Sequence, residues 1–186
     1  MTRTKQFVVS DLTYEEKVEA THKRIETAIK DYGYQCAVGC SFGKDSMVVL
    51  SIAQKFLPDI LAVWCNTGVE GPVTEQFAKE TTEQLGINLY EAEPKHGITF
   101  WTITKEHGWP GTRLKDKERV PRCCIDLKDK PAIAAYKMFG IRCIMTGITA
   151  EESRNRWLVM KRESNKAILA GIDRHDDAGR GGVRGI

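Results

Sequence analysis

Residues 34–50 read YQCAVGCSFGKDSMVVL. A nearly unbroken apolar run, Tyr34 to Cys40, gives way to the polar turn SFGKDS and then to a stretch of helical pattern from Ser46 to Phe56, closed by Pro58. An apolar run without alternation suits a strand covered on both faces. The next run, ILAVWCN (Ile60 to Asn66), has the same character. Strand, loop, helix and strand together fill the roughly thirty residues of a βαβ unit, which predicts two parallel neighbouring strands with a right-handed crossover.

The alternation extends in both directions. Upstream, Thr13 to Gly33 places Val18, Ile25, Ala28 and Ile29 among charges, an amphipathic helix stopped by Gly33. Downstream, Val73 to Leu85 is a helix ended by Gly86, and INLYEAE is a strand. Ile98 to His107 is a short helix broken by GWPG, Lys130 to Phe139 a helix ended by Gly140, and IRCIMTGI (Ile141 to Ile148) a buried strand. Such alternation implies an α/β fold with an open, mainly parallel twisted sheet and helices on both faces. One domain over 1–172 is expected, with an N-terminal helical region over 1–33. The glycine-rich, charged stretch 173–186 has too little apolar content to pack alone and is expected to be mobile.

A net charge of +3 is too small to argue for nucleic acid and suits an anionic small molecule equally well. No apolar run approaches the roughly 20 residues of a membrane span, and MTRTKQFVVSDLTYEEK has no signal-peptide core. A cytoplasmic protein is expected. Its six cysteines then point to buried thiols, metal ligands or redox chemistry rather than a disulfide framework. Cys36, Cys65 and Cys143 sit in strand-like runs, where cysteine is usually a small core hydrophobe; the adjacent pair Cys123-Cys124 does not.

Open α/β sheets bind ligands beyond the carboxyl ends of their strands. SFGKDS occupies such a place, where free backbone N–H groups and the positive end of a helix dipole face an anion. Gly43 lets the backbone approach phosphate oxygens, Ser41 and Ser46 offer hydroxyls, and Lys44 brings positive charge. The loop is not a Walker loop: three residues, not four, separate Gly39 from Gly43, and Asp45 follows the lysine. Nor is it a dinucleotide fingerprint, because Phe42 and Lys44 flank its one glycine. An ordinary βα turn with a serine cap is the plain alternative.

SFGKDSMVVL resembles the pyrophosphate-binding loop of the PP-loop, or adenine nucleotide alpha hydrolase-like, superfamily, whose usual form is Ser-Gly-Gly-Lys/x-Asp-Ser. Three further segments resemble the phosphoadenosine phosphosulfate (PAPS) reductase family within it. VWCNTGVEGPVTEQF (Val63 to Phe77) is similar to its Asn/Asp-Thr-Gly strand end with a nearby Pro-x-Thr. RCCIDLKDKPA (Arg122 to Ala132) is similar to its Cys-Cys-x-x-Arg/Lys-Lys-x-x-Pro segment, and GITAEESRNR (Gly147 to Arg156) to its Gly-x-Arg-x-x-Glu-Ser-x-x-Arg segment. The four stand in family order across most of residues 36–156.

The resemblance implies a nucleotide site built from Ser41, Phe42, Gly43, Lys44, Asp45, Ser46, Asn66, Thr67, Gly68, Arg122, Lys128, Gly147 and Arg156. Asn66, Thr67 and Gly68 shape the pocket toward ribose or adenine, against the alternative of a plain strand-to-helix turn. Arg122 abuts the cysteine pair, and its guanidinium suits phosphate or sulfate oxygens. Around it, Arg113, Lys115, Lys117, Arg119, Lys128 and Lys130 alternate with Asp116, Glu118, Asp126 and Asp129, and most of these read as a solvated charged loop. The family's arginine two residues after Gly147 is Thr149 here.

Cys123 and Cys124 are the candidate reactive thiols, their pKa expected to be lowered by Arg122 and Lys128. In adenylyl-sulfate reductases such a pair joins a later Cys-x-x-Cys to hold an iron–sulfur cluster. This sequence has no Cys-x-x-Cys, so the pair supplies partial ligands only. The reaction that the resemblance implies is thiol-dependent reduction of an adenosine phosphosulfate to sulfite, an oxidoreductase activity on a sulfur group, with a thioredoxin or glutaredoxin-like donor. The family's nucleophile lies in a Glu-Cys-Gly segment that this sequence lacks. Two other readings therefore stand beside it. One is a PP-loop ATP pyrophosphatase, using Mg2+ and adenylating a substrate for sulfur transfer in tRNA thiolation or DNA phosphorothioation; only there is nucleic acid a partner. The other is a nucleotide-binding domain without turnover that needs a partner thiol. Assembly as a homo-oligomer is compatible with all three.

Overall fold

The computed structural model describes residues 12–109 and 122–148, with Arg122 described by its backbone alone. Four strands, β1 (Cys36–Gly39), β2 (Leu61–Cys65), β3 (Leu89–Ala92) and β4 (Cys143–Thr146), form one sheet in the order β3-β2-β1-β4. All three pairings are parallel, with Val38 opposite Ala62 and Met145, and Trp64 opposite Glu91. The chain steps outward from β1 through β2 to β3, then returns to the other side of β1. That reversal places a topological switch point between β1 and β4.

Side-chain alternation along the strands divides the core in two. Cys36, Val38, Trp64, Cys143 and Met145 face a cluster completed by Ile25 of α1 (Tyr14–Tyr32) and by Val49, Leu50, Ile52 and Ala53 of α2 (Lys44–Phe56). Ala37, Val63 and Ala92 face Ala132, Ala135 and Tyr136 of α6 (Lys130–Met138) on the opposite side. Each fully buried aliphatic side chain contributes about 1.5–3 kcal/mol, so both faces of β1 and β2 are strongly held. This is the α/β architecture expected from the sequence, with every described strand parallel.

The punctuation residues do what their chemistry predicts. Thr13 caps α1 in a reciprocal box with Glu16, and Gly33 ends it at φ +53°. Pro72 opens α3 (Pro72–Leu85), and Gly86 ends it in the left-handed region at φ +59°. Thr99 and Thr102 form a second box at the start of α4 (Phe100–His107).

Two expectations change. Helix α2 begins at Lys44, two residues before the expected start, because Gly43 occupies the cap. The described part of the charged stretch before Lys130, residues 122–129, is not a solvated loop. It is helical, opening as α5 (Arg122–Cys124), widening into a π turn over Ile125–Asp129 and continuing into α6. Leu127 and Asp126 are buried there, and Asp126 accepts a 2.6 Å bond from Lys130 one turn on. The charges that suggest a loop are thus partly the inner face of a helix. Among the described residues, no helix is long and apolar enough to cross a membrane.

Candidate functional site

The carboxyl end of β1 leads directly into the loop. Cys40 extends the ladder with a 2.9 Å bond from its amide to Val63 O. Phe42 then takes φ +57°, a left-handed conformation rare outside glycine. Its ring is buried and meets Trp64 of β2 edge-on, with centroids 5.6 Å apart. Gly43 is extended (φ −78°, ψ 157°) and caps α2 without any side-chain bond. The first intrahelical bond runs from Met47 N to Gly43 O, so the amides of Lys44, Asp45 and Ser46 have no partner among the described residues. Free amides at the positive end of a helix form an anion site. Lys44 and Asp45 are exposed beside them, and neither side chain is bonded among the described residues.

Ser46 serves differently from the expectation. Its buried hydroxyl donates to Gly43 O at 2.9 Å and accepts from Ser41 N at 3.2 Å, with Ser41 Oγ at 3.4 Å. It locks the turn, leaving Ser41 as the exposed hydroxyl of the loop.

Gly147, just past β4, reaches this loop from the other side of the switch point. A Cβ built there would stand 2.5 Å from Asp45 C, 2.6 Å from Asp45 O and 2.8 Å from Ser46 N. Only glycine allows the end of β4 to lie against the first turn of α2 so closely. Gly147 is therefore a packing residue that seats the loop.

At the end of β2, Asn66, Thr67 and Gly68 form a self-bonded turn. Asn66 Nδ2 donates to Glu91 at 2.6 Å, and its Oδ1 accepts from Gly68 N at 3.0 Å, while Gly68 turns the chain at φ +69°. Buried Thr67 gives both its amide (3.1 Å) and its hydroxyl (2.7 Å) to Glu70 Oε2, which also accepts from Val69 N. Burial alone would push the Glu70 carboxyl up, but these bonds outweigh it and hold it below its usual range. Glu70 organises the turn and was not singled out in the sequence. The spacing Thr67-x-x-Glu70 is the signal in the sequence that could have found it.

The cysteine pair lies in α5, with Cys124 exposed and Cys123 half-buried. Burial raises the Cys124 pKa, and the neighbouring Cys123 raises it further, against the opposing charge of Lys128. For Cys124 this runs against the expectation of a lowered thiol: partial burial and the adjacent sulfur outweigh the Lys128 ammonium group. Cys65, at the end of β2, donates to Lys128 O at 3.6 Å, and burial pushes it up to about 11. That contact ties the π turn to the sheet's carboxyl edge, and with it the segment bearing the cysteine pair. All six cysteines are free, and Cys36, Cys40 and Cys143 are buried. Two adjacent thiols are half the set that a four-iron cluster takes. Among the described residues no group of three or more His, Cys, Asp or Glu side chains converges to hold a metal. The donors described here therefore do not fit such a cluster. Arg156, Thr149, the side chain of Arg122, the basic residues 113–119 and the stretch 173–186 lie outside the described residues.

An open parallel sheet with free helix N-terminal amides at its switch point is the arrangement at which α/β domains commonly bind anions. The Phosphoadenosine phosphosulfate reductase domain family matches residues 35–174, and the chain belongs to that family. A phosphoadenosine 5'-phosphosulfate reductase of Alkalilimnicola ehrlichii is 32% identical over 137 residues, covering 74% of this chain and 54% of that protein. The chain spans a little over half the length of the first curated relatives it matches. Two solved structures share the fold. The phosphoadenylyl-sulfate (PAPS) reductase of Candida auris, a phosphate complex, gives a TM-score of 0.50 at 18% identity over 75% of this chain and 70% of that one. The U34-tRNA thiolase NcsA of Methanococcus maripaludis, solved with its 4Fe-4S cluster, gives 0.51 at 17% identity over 93% of this chain and 59% of that one.

Proposed function

We propose that the chain is PAPS or adenylyl-sulfate reductase-like, binding an adenosine phosphosulfate between the ends of β1 and β4 for thiol-dependent reduction to sulfite. The observation that supports this most is the row of unpaired amides from Lys44 to Ser46 at the switch point of a chain in this family. These amides and Lys44 hold the phosphate that becomes the leaving group and stabilise the charge developing on it. Ser41, Phe42, Gly43, Asn66, Thr67 and Gly68 shape the surrounding wall, and Arg122, Lys128 and Arg156 add cationic contacts.

In the reaction, a thiolate attacks the sulfur of the phosphosulfate. The S–O bond breaks, its electron pair leaves with the adenosine phosphate, and an S-sulfocysteine remains. One thiolate of a dithiol donor of thioredoxin or glutaredoxin type then attacks the cysteine sulfur and sulfite departs with the S–S electron pair; the donor's second thiolate breaks the resulting mixed disulfide, which frees the cysteine thiolate and leaves the donor as a disulfide. Cys123 and Cys124 are the candidate thiols of this chain, and Cys124 is the exposed one.

One observation favours a second reading. Asp45 is exposed and unbonded among the described residues, beside Lys44 at the same helix end. A single carboxylate with nucleotide phosphates is how Mg2+ is commonly held, which suits an ATP pyrophosphatase that adenylates a substrate for sulfur transfer. Thermal melting separates the two. Adenylyl sulfate, PAPS and 3′,5′-ADP are expected to raise Tm in a concentration-dependent way. A rise with ATP plus magnesium alone would refute the reductase reading in favour of the second.

A further inference from the structure

Thr146 ends β4 at the switch point, one residue before the glycine that packs on α2. It is 9% exposed, and its Oγ1 has no hydrogen-bond partner among the described residues. Among the described residues it is the one buried side-chain oxygen or nitrogen in that state. Leaving a buried hydroxyl unbonded costs stability, and native proteins rarely retain one without a use.

Its methyl side is packed. Gly39 is the register partner of Thr146, and its lack of a side chain lets β1, β4 and α6 close together there. A Cβ at Gly39 would stand 3.3 Å from Thr146 Cγ2 and 3.6 Å from the Tyr136 hydroxyl. Tyr136 is buried, and its phenol borders the same point from α6. Burial raises the Tyr136 pKa, so it is a neutral donor. A neutral hydroxyl suits an acceptor oxygen, and Thr146 stands one residue before the glycine that touches the first turn of α2.

We propose that Thr146 is a ligand-binding residue, its hydroxyl donating to an acceptor oxygen of the adenosine phosphosulfate. This rests on the reductase-like reading above. Oγ1 is closed off from solvent in the free protein, so the bond forms with a shift of the crevice wall on binding. The hydroxyl is a burden to the free chain and an asset to the complex. Removing it moves the two quantities in opposite directions, which a purely structural hydroxyl does not do.

The test compares Thr146→Val, which keeps the shape and removes the hydroxyl, with Thr146→Ser, which keeps the hydroxyl. Melting is followed without ligand, and the Kd for adenylyl sulfate and 3′,5′-ADP is measured by calorimetry. The Val variant is expected to melt higher by about 2 °C or more. It is expected to bind about three- to tenfold more weakly, while the Ser variant binds like the parent. Thr146→Ala gives the same affinity readout should the Val variant fail to fold. Unchanged affinity in the variants lacking the hydroxyl, or a lower melting temperature for Thr146→Val, overturns the proposal while leaving the reductase-like reading intact. A parent protein that binds neither nucleotide overturns that reading and this one with it.

Discussion

Replacing Gly147 by alanine tests whether the end of β4 seats the phosphate loop. The added Cβ would stand 2.5 Å from Asp45 C, 2.6 Å from Asp45 O and 2.8 Å from Ser46 N. Carbon–carbon contacts settle at about 3.5–4.0 Å, so roughly 1 Å must be regained. All three obstructing atoms are backbone in the first turn of α2, and none can rotate away. Either β4 retreats from β1 or the helix end moves. Overpacking of this kind costs about 1–3 kcal/mol, equivalent to a Tm lowered by roughly 2–12 °C for a chain this size. The functional effect is larger in proportion. An amide shifted by about 1 Å from a 2.9 Å bond no longer makes one, and losing one charged hydrogen bond weakens binding by about tenfold or more. Differential scanning fluorimetry and calorimetry with 3′,5′-ADP read the two effects. Gly71→Ser is the control, because a Cβ at Gly71 meets nothing within 4 Å and serine is a good cap for α3. A Gly147→Ala protein that melts and binds like the parent would refute the reasoning.

Four further outcomes are expected. Lys44→Ala weakens nucleotide binding by about 1.5–3 kcal/mol in titration calorimetry while leaving Tm nearly unchanged, since the side chain is exposed and unbonded among the described residues. Ser46→Ala lowers stability by about 1–3 kcal/mol in urea unfolding, because Gly43 O and Ser41 N lose their buried partner. The depressed Glu70 carboxyl stabilises the fold above its unfolded pKa of about 4.3, and that contribution fades as pH falls through the lower folded value. The Tm gap between the parent and Glu70→Gln should therefore hold at neutral pH and close in acid; a gap that widens in acid contradicts this. With its pKa raised, Cys124 should react with iodoacetamide at a rate that climbs only above the usual thiol range near pH 8.5. Peptide mass spectrometry with Cys124→Ser as blank checks this, and rapid labelling at pH 7 would contradict it.

Local features of the fold were legible in the sequence because their causes are local. Gly33 and Gly86 end helices through their own backbone freedom, Pro72 opens one, and the apolar runs around Val38, Val63 and Met145 mark strands covered on both faces. The turn between a buried strand and a helix was legible because an apolar run, a polar break and a helical pattern follow one another there. Three features were not, because each depends on how the folded chain places its groups. The charges from Asp126 to Lys130 read as solvated, whereas Asp126 is buried within a helical segment and paired one turn away. Glu70 gained its role from the fold of its own turn. Gly147 looked like a motif glycine, whereas its contact is with a backbone about a hundred residues earlier in the chain.

The loop's own geometry shows why such distant contacts matter. Phe42 is held in a left-handed conformation, which costs about 1–3 kcal/mol for a non-glycine residue. Burying its ring against Trp64 contributes about 1.5–3 kcal/mol, so strain and anchorage nearly offset each other. A glycine at position 42 would release the strain and lose the anchor, leaving the loop free to leave the edge of β2. The cradle is thus fixed from two sides, by Phe42 on Trp64 of β2 and by Gly147 after β4, with the Ser46 hydroxyl closing the turn between them. Neither outer contact involves the free amides themselves. Both decide where the donors of Lys44, Asp45 and Ser46 stand, and ligand affinity should therefore respond to Trp64→Leu, a change outside the loop, before it responds to Ser41→Ala within it.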